Sequence, residues 1–363
     1  MQQPRDMAMV QREQRRGRGA RSNRSGRYEA EQREAFDDGW ESLSEVEAFK
    51  TEVQEEHART AITTNNSPDI SFDQSINPYR GCEHGCIYCY ARPAHCYMGL
   101  SAGIDFETKL FAKPNAPELL ERELADPAYV PKTIALGSNT DPYQPIEKHY
   151  RITRGILQVL ARHDHPVGIV TKSASIVRDI DILAEMAAKG LAKVAISVTT
   201  LDRRLARQME PRASTPPKRL GAIAELSAAG IPTAVLVAPI IPALNDSEIE
   251  KILETVAGCG AREAGYVLLR LPLEIKTLFR EWLETEFPDR AARVISILQS
   301  MHNGKDYEAD WGIRQRGRGP YARQIAMRFR LAAKRFGLNE RHDRLRCDLF
   351  QRPTQPGEQM SLL

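Results

Sequence analysis

From about Ser71 onward, short apolar runs alternate with segments whose apolar residues recur every three to four positions. The short runs are Ser75-Ile76-Asn77, Thr133–Leu136, Val167–Thr171, Lys193–Val198, Thr233–Val237 and Gly265–Leu269. Rich in Val and Ile, they predict β-strands. Segments 155–162, 179–189, 218–229 and 247–258 carry the helical period, and Gly190, Gly230 and Gly260 stand where a glycine ends a helix. Strands separated by helices predict a parallel sheet with right-handed crossovers. Six strands fall short of the eight of a closed barrel. The pattern therefore predicts an α/β fold, an open partial (βα)6 barrel of the TIM type, with a doubly wound sheet as the alternative. Beyond the sixth strand the period becomes helical, over 274–286, 289–301 and 321–336. The chain thus divides into a polar N-terminal segment (1–60), a barrel core (61–272) and a helical, basic C-terminal extension (273–363).

Both architectures put chemistry at the C-terminal ends of the strands. Polar residues gather there. The second strand runs into Gly137-Ser138-Asn139-Thr140-Asp141-Pro142, the third into Thr171-Lys172-Ser173, and the fourth carries Ser197, Thr199 and Thr200 before Glu210-Pro211-Arg212. Some of these residues are helix caps. Their shared position on one rim is what singles them out.

The first strand runs into the chemically richest segment, Asn77-Pro78-Tyr79-Arg80-Gly81-Cys82-Glu83-His84-Gly85-Cys86-Ile87-Tyr88-Cys89-Tyr90. Cys82, Cys86 and Cys89 have the spacing C-x3-C-x2-C in a polar, glycine-punctuated loop. Three thiolates in one loop suit a four-iron cluster with one iron left open for a small molecule. Spacing alone leaves a second reading, a zinc knuckle closed by Cys96, His84 or His95 as fourth ligand.

The chain has 363 residues, six cysteines and a net charge of +3. That length accommodates one barrel-sized domain or two smaller ones. No apolar run reaches the eighteen or so residues of a membrane span. The N-terminus has no apolar core after its charges, which argues against a secretory signal. Clustered cysteines in such a chain point to a reducing cytoplasm and a metal rather than a disulfide framework. Arg5, Arg12, Arg15, Arg16, Arg18, Arg21, Arg24 and Arg27 precede an acidic stretch, and together they predict a flexible basic tail and a polar linker. A second basic run, Arg314-Gln315-Arg316-Gly317-Arg318, leads into a segment with Arg323, Arg328, Arg330, Lys334 and Arg335. It reads as a solvated helix face or as a surface for nucleic acid.

The cysteine loop with its aromatic before the last cysteine resembles the signature of the radical S-adenosylmethionine (SAM) enzymes. Together with Thr140-Asp141-Pro142, Thr171-Lys172 and the Ser197 strand, it resembles the relatives of spore photoproduct lyase over 73–271. The resemblance implies a [4Fe-4S] cluster on Cys82, Cys86 and Cys89, with SAM chelated at the open iron. It also implies an external flavodoxin- or ferredoxin-like electron donor and a 5′-deoxyadenosyl radical that takes hydrogen from a substrate. Tyr88 and Tyr90 fall beside the adenosyl end of SAM and Thr140 toward its methionine end. Lys172 and Ser197 match contacts to its carboxylate or ribose, and Arg212 with Glu210 adds contacts. The chain departs from the lyases at Ser138, where they carry a hydrogen-donating cysteine. A nucleic-acid-derived substrate, a peptide or a small metabolite all remain open. So does a different class, a zinc-stabilised nucleic-acid-binding protein without catalysis.

Overall fold

The computed structural model describes residues 17–29 and 49–353. Among the described residues, ten strands form two sheets. The small one has the order β1–β5–β4, from Glu52–Glu55, Lys109–Ala112 and Tyr79–Arg80. The large one has the order β10–β9–β8–β7–β6–β3–β2. Its members are Glu263–Leu268 (β10), Thr233–Ile240 (β9), Ala192–Ser197 (β8), Val167–Thr171 (β7), Ile134–Leu136 (β6), Gln74–Ile76 (β3) and Ile62–Thr64 (β2).

The neighbour order of β3, β6, β7, β8, β9 and β10 follows the chain without reversal, and every one of these pairings is parallel. A doubly wound sheet reverses its order at a switch point. This sheet winds one way only, so the fold is the open partial (βα)6 barrel. The six expected strands are its six parallel strands, each within a few residues of its expected bounds. β2 adds an antiparallel edge beside β3. Along β7 and β9 buried and half-buried residues alternate, the period of a strand with two unlike faces. The helices Ile152–Arg162, Ile180–Ala188, Pro216–Ala228 and Ile249–Gly258 bury apolar faces against the barrel. The extension comprises Ile275–Glu286, Pro288–Ser300 and Gly319–Arg335, and buries Trp282 and Phe279. Among the described residues no helix is long and apolar enough to cross a membrane.

The expected loose tail is corrected for residues 17–29, which are packed into the molecule as a strap. Arg18, Ala20, Arg21 and Ser22 are buried. The main chain passes so close to the cysteine loop that a Cβ on Gly19 would lie 1.9 Å from Gly85 O. The anchor is Glu107, itself fully buried. Its carboxylate accepts the amides of Gly19 and Ala20, each at 2.8 Å, and Arg18 donates to its carbonyl at 2.8 Å. Further along, Arg24 and Ser22 reach Glu281, Arg21 reaches Glu286 and Arg27 reaches Glu274, all at or beside the helix Ile275–Glu286. The arginine-rich composition thus serves carboxylates of the folded molecule here, Glu107 buried and Glu274, Glu281 and Glu286 half-buried. Residues 1–16, with Arg5, Arg12, Arg15 and Arg16, and the acidic stretch over 30–48 lie outside the described residues.

Glu107→Gln keeps the shape but removes the charge opposite a buried arginine, Arg92, whose Nη2 lies 2.6 Å away. Breaking such a pair costs ~3–5 kcal/mol, an expected loss to be read from the urea midpoint. Acid has a separate expected effect. Burial lowers the His95 and His165 imidazoles to about 4, against weaker opposition from backbone hydrogen bonds. The unfolded chain takes up those protons near pH ~6.5. Their contribution to stability is therefore complete above that pH and declines as pH falls toward 4. Urea titrations across this window check it, with a shallower decline expected in His165→Gln.

Candidate functional site

The cysteine loop leaves β3, passes through β4 and turns back along the rim. Gly81 and Gly85 make the turns at φ +72° and +66°, the left-handed region where a side chain is strained. A Cβ at Gly85 would also lie 2.6 Å from Glu107 Oε2. The carbonyls of the loop converge on Arg92, which is fully buried. Its Nε donates to Cys86 O at 2.9 Å, its Nη2 to Gly85 O at 3.1 Å and to Glu107 at 2.6 Å. Nη1 donates to Ala102 O and Gly103 O. Gln144 braces the other side, donating to Gly81 O at 3.1 Å and accepting the Glu83 amide at 2.9 Å.

Cys82 and Cys86 are buried and Cys89 is half-buried, and all three thiols are free. Burial raises the Cys82 thiol well above its ordinary value, and Asp141 and the other two sulfurs raise it further. Burial with Glu210 raises Cys86 to about 12, and burial raises Cys89. Unliganded, the three are protonated at neutral pH, and binding a metal would displace those protons. Groups that favour anionic sulfur also face them: the Asp141 amide at Cys82, the Ala91 amide at Cys89, and Lys172 near Cys86 and Cys89. These residues fit a thiolate-bound iron–sulfur group.

Among the described residues no three His, Cys, Asp or Glu side chains are grouped to hold a single metal ion, and the zinc reading needs a fourth ligand beside the three thiols. The candidate fourth ligands are also engaged elsewhere. His95 points its Nε2 at Lys109 O, 2.9 Å away, and packs edge-on to Phe106. His84 Nδ1 faces Asp141 at 3.4 Å. Cys96 is fully buried, 3.2 Å from where a Cβ on Gly26 of the strap would stand.

The other rim residues fall on two sides of the loop. Tyr88 is buried, donates to Glu210 and lies 3.4 Å from the Thr199 hydroxyl. Lys172 Nζ stands 5.7 Å from the centre of its ring. Glu210 pairs with buried Arg219, which also donates to Ser197 O at 3.0 Å. Burial opposes ionisation of Glu210, but Arg219 and Lys172 outweigh it and lower its pKa. Asp141 accepts from the Thr171 hydroxyl at 2.6 Å and from the Lys172 amide at 2.8 Å. Against burial, these bonds and His84 hold its carboxyl at about 2. Ser197 is buried at the end of β8.

Three further candidate residues have protein partners of their own. Arg212 is not Glu210's partner; it faces Glu83 at 3.4 Å, because Arg219 already fills the buried side of Glu210. The Thr140 hydroxyl is turned to Tyr79 O at 2.9 Å. Tyr90 is 46% exposed, donates to Ser138 O and carries the Arg270 guanidinium 5.2 Å from its ring centre. Arg92, Glu107, Gln144, Arg219 and Arg270 were not foreseen. Arg92, Gln144 and Arg219 serve main-chain carbonyls, Glu107 accepts main-chain amides and Arg270 lies over an aromatic ring, and none of these roles leaves a local sequence signal.

Comparison with known proteins accords with this arrangement. The radical SAM superfamily model matches residues 76–256. An uncharacterized protein of Mycobacterium tuberculosis is 37% identical over 230 residues, covering 63% of this chain and 68% of its own. One of Methanocaldococcus jannaschii is 27% identical over 241 residues, covering 66% and 85%. Among solved structures, spore photoproduct lyase complexed with dinucleoside spore photoproduct has a similar fold. The TM-score is 0.57 at 16% identity, over 79% of this chain and 80% of that one. With its one-way barrel and rim of three free thiols, the chain belongs to the radical SAM superfamily and is a radical SAM enzyme.

Proposed function

We propose that Cys82, Cys86 and Cys89 hold one [4Fe-4S] cluster, that SAM binds at its open iron, and that the enzyme abstracts hydrogen from an organic substrate at the barrel mouth. The observation that carries this reading is the set of three free thiols on the rim, faced by backbone amides and Lys172, within a chain that matches the radical SAM superfamily model. When bound, the cluster supplies the electron that cleaves SAM to methionine and a 5′-deoxyadenosyl radical.

The protein residues hold and orient. Lys172 offers an ammonium to the SAM carboxylate, a charge-assisted bond. Its backbone is fixed by Asp141 and its side chain by the Tyr88 ring. Tyr88, locked by Glu210 and Thr199, forms a wall for the adenosyl end. Ser197 lies behind it, with its carbonyl held by Arg219. Thr140 acts through Tyr79 O to fix the strand that carries the loop. Tyr90 stands on the open side, toward substrate. Arg212 holds Glu83 at the edge of the loop.

Ser138 separates this enzyme from lyase chemistry. Its hydroxyl lies 3.2 Å from the Asn77 amide nitrogen, and its O–H is a far poorer hydrogen-atom donor than a thiol. Dinucleoside spore photoproduct is bound by the structural neighbour; here its repair is expected to be inefficient.

Anaerobic reconstitution followed by SAM and a reductant should yield 5′-deoxyadenosine, and its absence from a cluster-loaded enzyme would overturn the reading. Cys82→Ala, Cys86→Ala and Cys89→Ala are each expected to abolish the cluster absorbance, while Cys259→Ala keeps it. Lys172→Ala should leave the cluster intact and weaken SAM binding by ~10- to 150-fold, the loss of one charged hydrogen bond of about 1.5–3 kcal/mol. Calorimetric titration with SAM reads this out.

A further inference from the structure

A second site lies on the outer edge of the barrel. The edge strand β10, the segment 316–318 and the helix Gly319–Arg335 enclose a groove of about 720 Å³. Five cations line it: Arg316, Arg318, Arg323, Arg330 and Lys334. All five are exposed, and among the described residues none makes an ion pair. Their neighbours differ. Arg314 is paired with Asp69 at 2.5 Å and Arg328 with Glu250 at 2.6 Å. One acid, Glu340, stands at the groove. Within this helix Arg323, Arg330 and Lys334 line the groove and have no carboxylate among the described residues, whereas off the groove Arg328 is paired with Glu250 and Arg335 lies over the Phe336 ring.

The floor is small and apolar, with Gly265, Gly317, Ala326 and Ala333. Gly317 has no room for a side chain, since at φ +64° its Cβ would stand 3.1 Å from Leu268 and 3.2 Å from Met301. At one end the Arg316 guanidinium lies 4.1 Å from the centre of the Tyr266 ring, and Phe329 packs behind that ring. The edge of β10 is already satisfied on both flanks. Leu268 N donates to Gln315 O at 2.9 Å, and Asn339 bonds both the amide and the carbonyl of Ala264. A strand from a partner protein therefore finds this edge taken. What the groove offers is a line of charge. Arg323, Arg330 and Lys334 span about 16 Å of helix axis at 1.5 Å per residue.

We propose that this groove binds a single strand of nucleic acid. Four of the five cations are arginines, whose planar fork matches phosphate oxygens. A row of unpaired cations beside a small apolar floor tracks a phosphodiester backbone with sugars and bases laid inward. A trough enclosed by one helix and one strand edge admits a flexible strand and not a rigid duplex. The proposal goes beyond the reading above by naming a macromolecular partner at a separate site. It does not depend on cluster or SAM chemistry.

The test uses the full chain and a fluorescein-labelled 20-nucleotide single strand, with binding followed by anisotropy from 50 to 400 mM salt. Arg323→Gln/Arg330→Gln removes two groove charges. Arg328→Gln/Arg346→Gln removes two charges that are paired elsewhere, so the change in net charge is the same. Each phosphate contact to a single strand contributes about −0.7 to the slope of log affinity against log salt. The groove variant is expected to flatten the slope by about 1.4 and the control to leave it unchanged. A duplex of the same sequence should bind more weakly, and polyglutamate at equal charge should not displace the strand. Equal slopes in the two variants, tighter duplex binding, or displacement by polyglutamate would each overturn the proposal. Formation of 5′-deoxyadenosine in the groove variant is unaffected by any of these outcomes, so failure here is distinct from failure of the radical chemistry.

Discussion

The cysteine loop depends on one buried ion pair. Arg92 and Glu107 are both shut off from solvent. A lone charge there would be prohibitively costly, and even a pair is favourable only when its remaining donors and acceptors are satisfied. Here they are. A guanidinium has five N–H groups, and Arg92 makes five hydrogen bonds: four to the carbonyls of Gly85, Cys86, Ala102 and Gly103, and one to Glu107. Glu107 uses its remaining capacity on two amides of the strap. A single charge pair therefore fixes three segments that are distant in sequence. Cys86 points its own carbonyl at the guanidinium, and Cys89 O accepts the Arg92 main-chain amide.

A second buried pair does the same on the opposite side. Arg219 and Glu210 hold Tyr88 from below, while Ile87 N donates to Met209 O. The loop is thus gripped between helices that belong to different parts of the barrel. The rim that results is electrostatically arranged. Glu107 and Glu210 lie behind the loop, each matched by an arginine, and Lys172 is the cation that faces the thiols without a carboxylate bonded to its ammonium among the described residues. Such a rim suits anionic sulfur and an incoming carboxylate together.

The barrel was legible in the sequence because its strands are buried on alternate or both faces and so carry Val and Ile in short runs. The helices were legible because each turns one apolar face to the sheet. The small sheet was not. Glu52–Glu55 is exposed along most of its length and Tyr79–Arg80 is two residues long, so neither leaves a periodic signal. The strap was misread for a different reason. Arg18 and Arg21 look like solvated charge because their partners, Glu107 and Glu286, lie about ninety and more than two hundred and fifty residues away. Composition registers a charge and is blind to a distant counter-charge. The same blindness hid Arg92 and Arg219, whereas the three cysteines were visible because their spacing is local.

The distribution of satisfied and unsatisfied groups separates chemistry from selection. Behind the cysteine loop nearly every polar atom has a partner. At the barrel mouth Arg270 lies between the rings of Tyr90 and Tyr307, 5.2 and 5.9 Å from their centres, with its Nε buried and unpartnered. Trp311, 60% exposed, stands on the neighbouring segment that Asp69 holds through Gly312 and Arg314. A buried N–H without an acceptor costs stability unless a ligand supplies one. Among the described residues buried donors without acceptors occur in the strap, at Arg18 Nε, as well as in the extension, at the His302 ring. Arg270 is the one held between two aromatic rings at the end of the last strand, so an acceptor arriving at the barrel mouth would meet a donor already fixed in place.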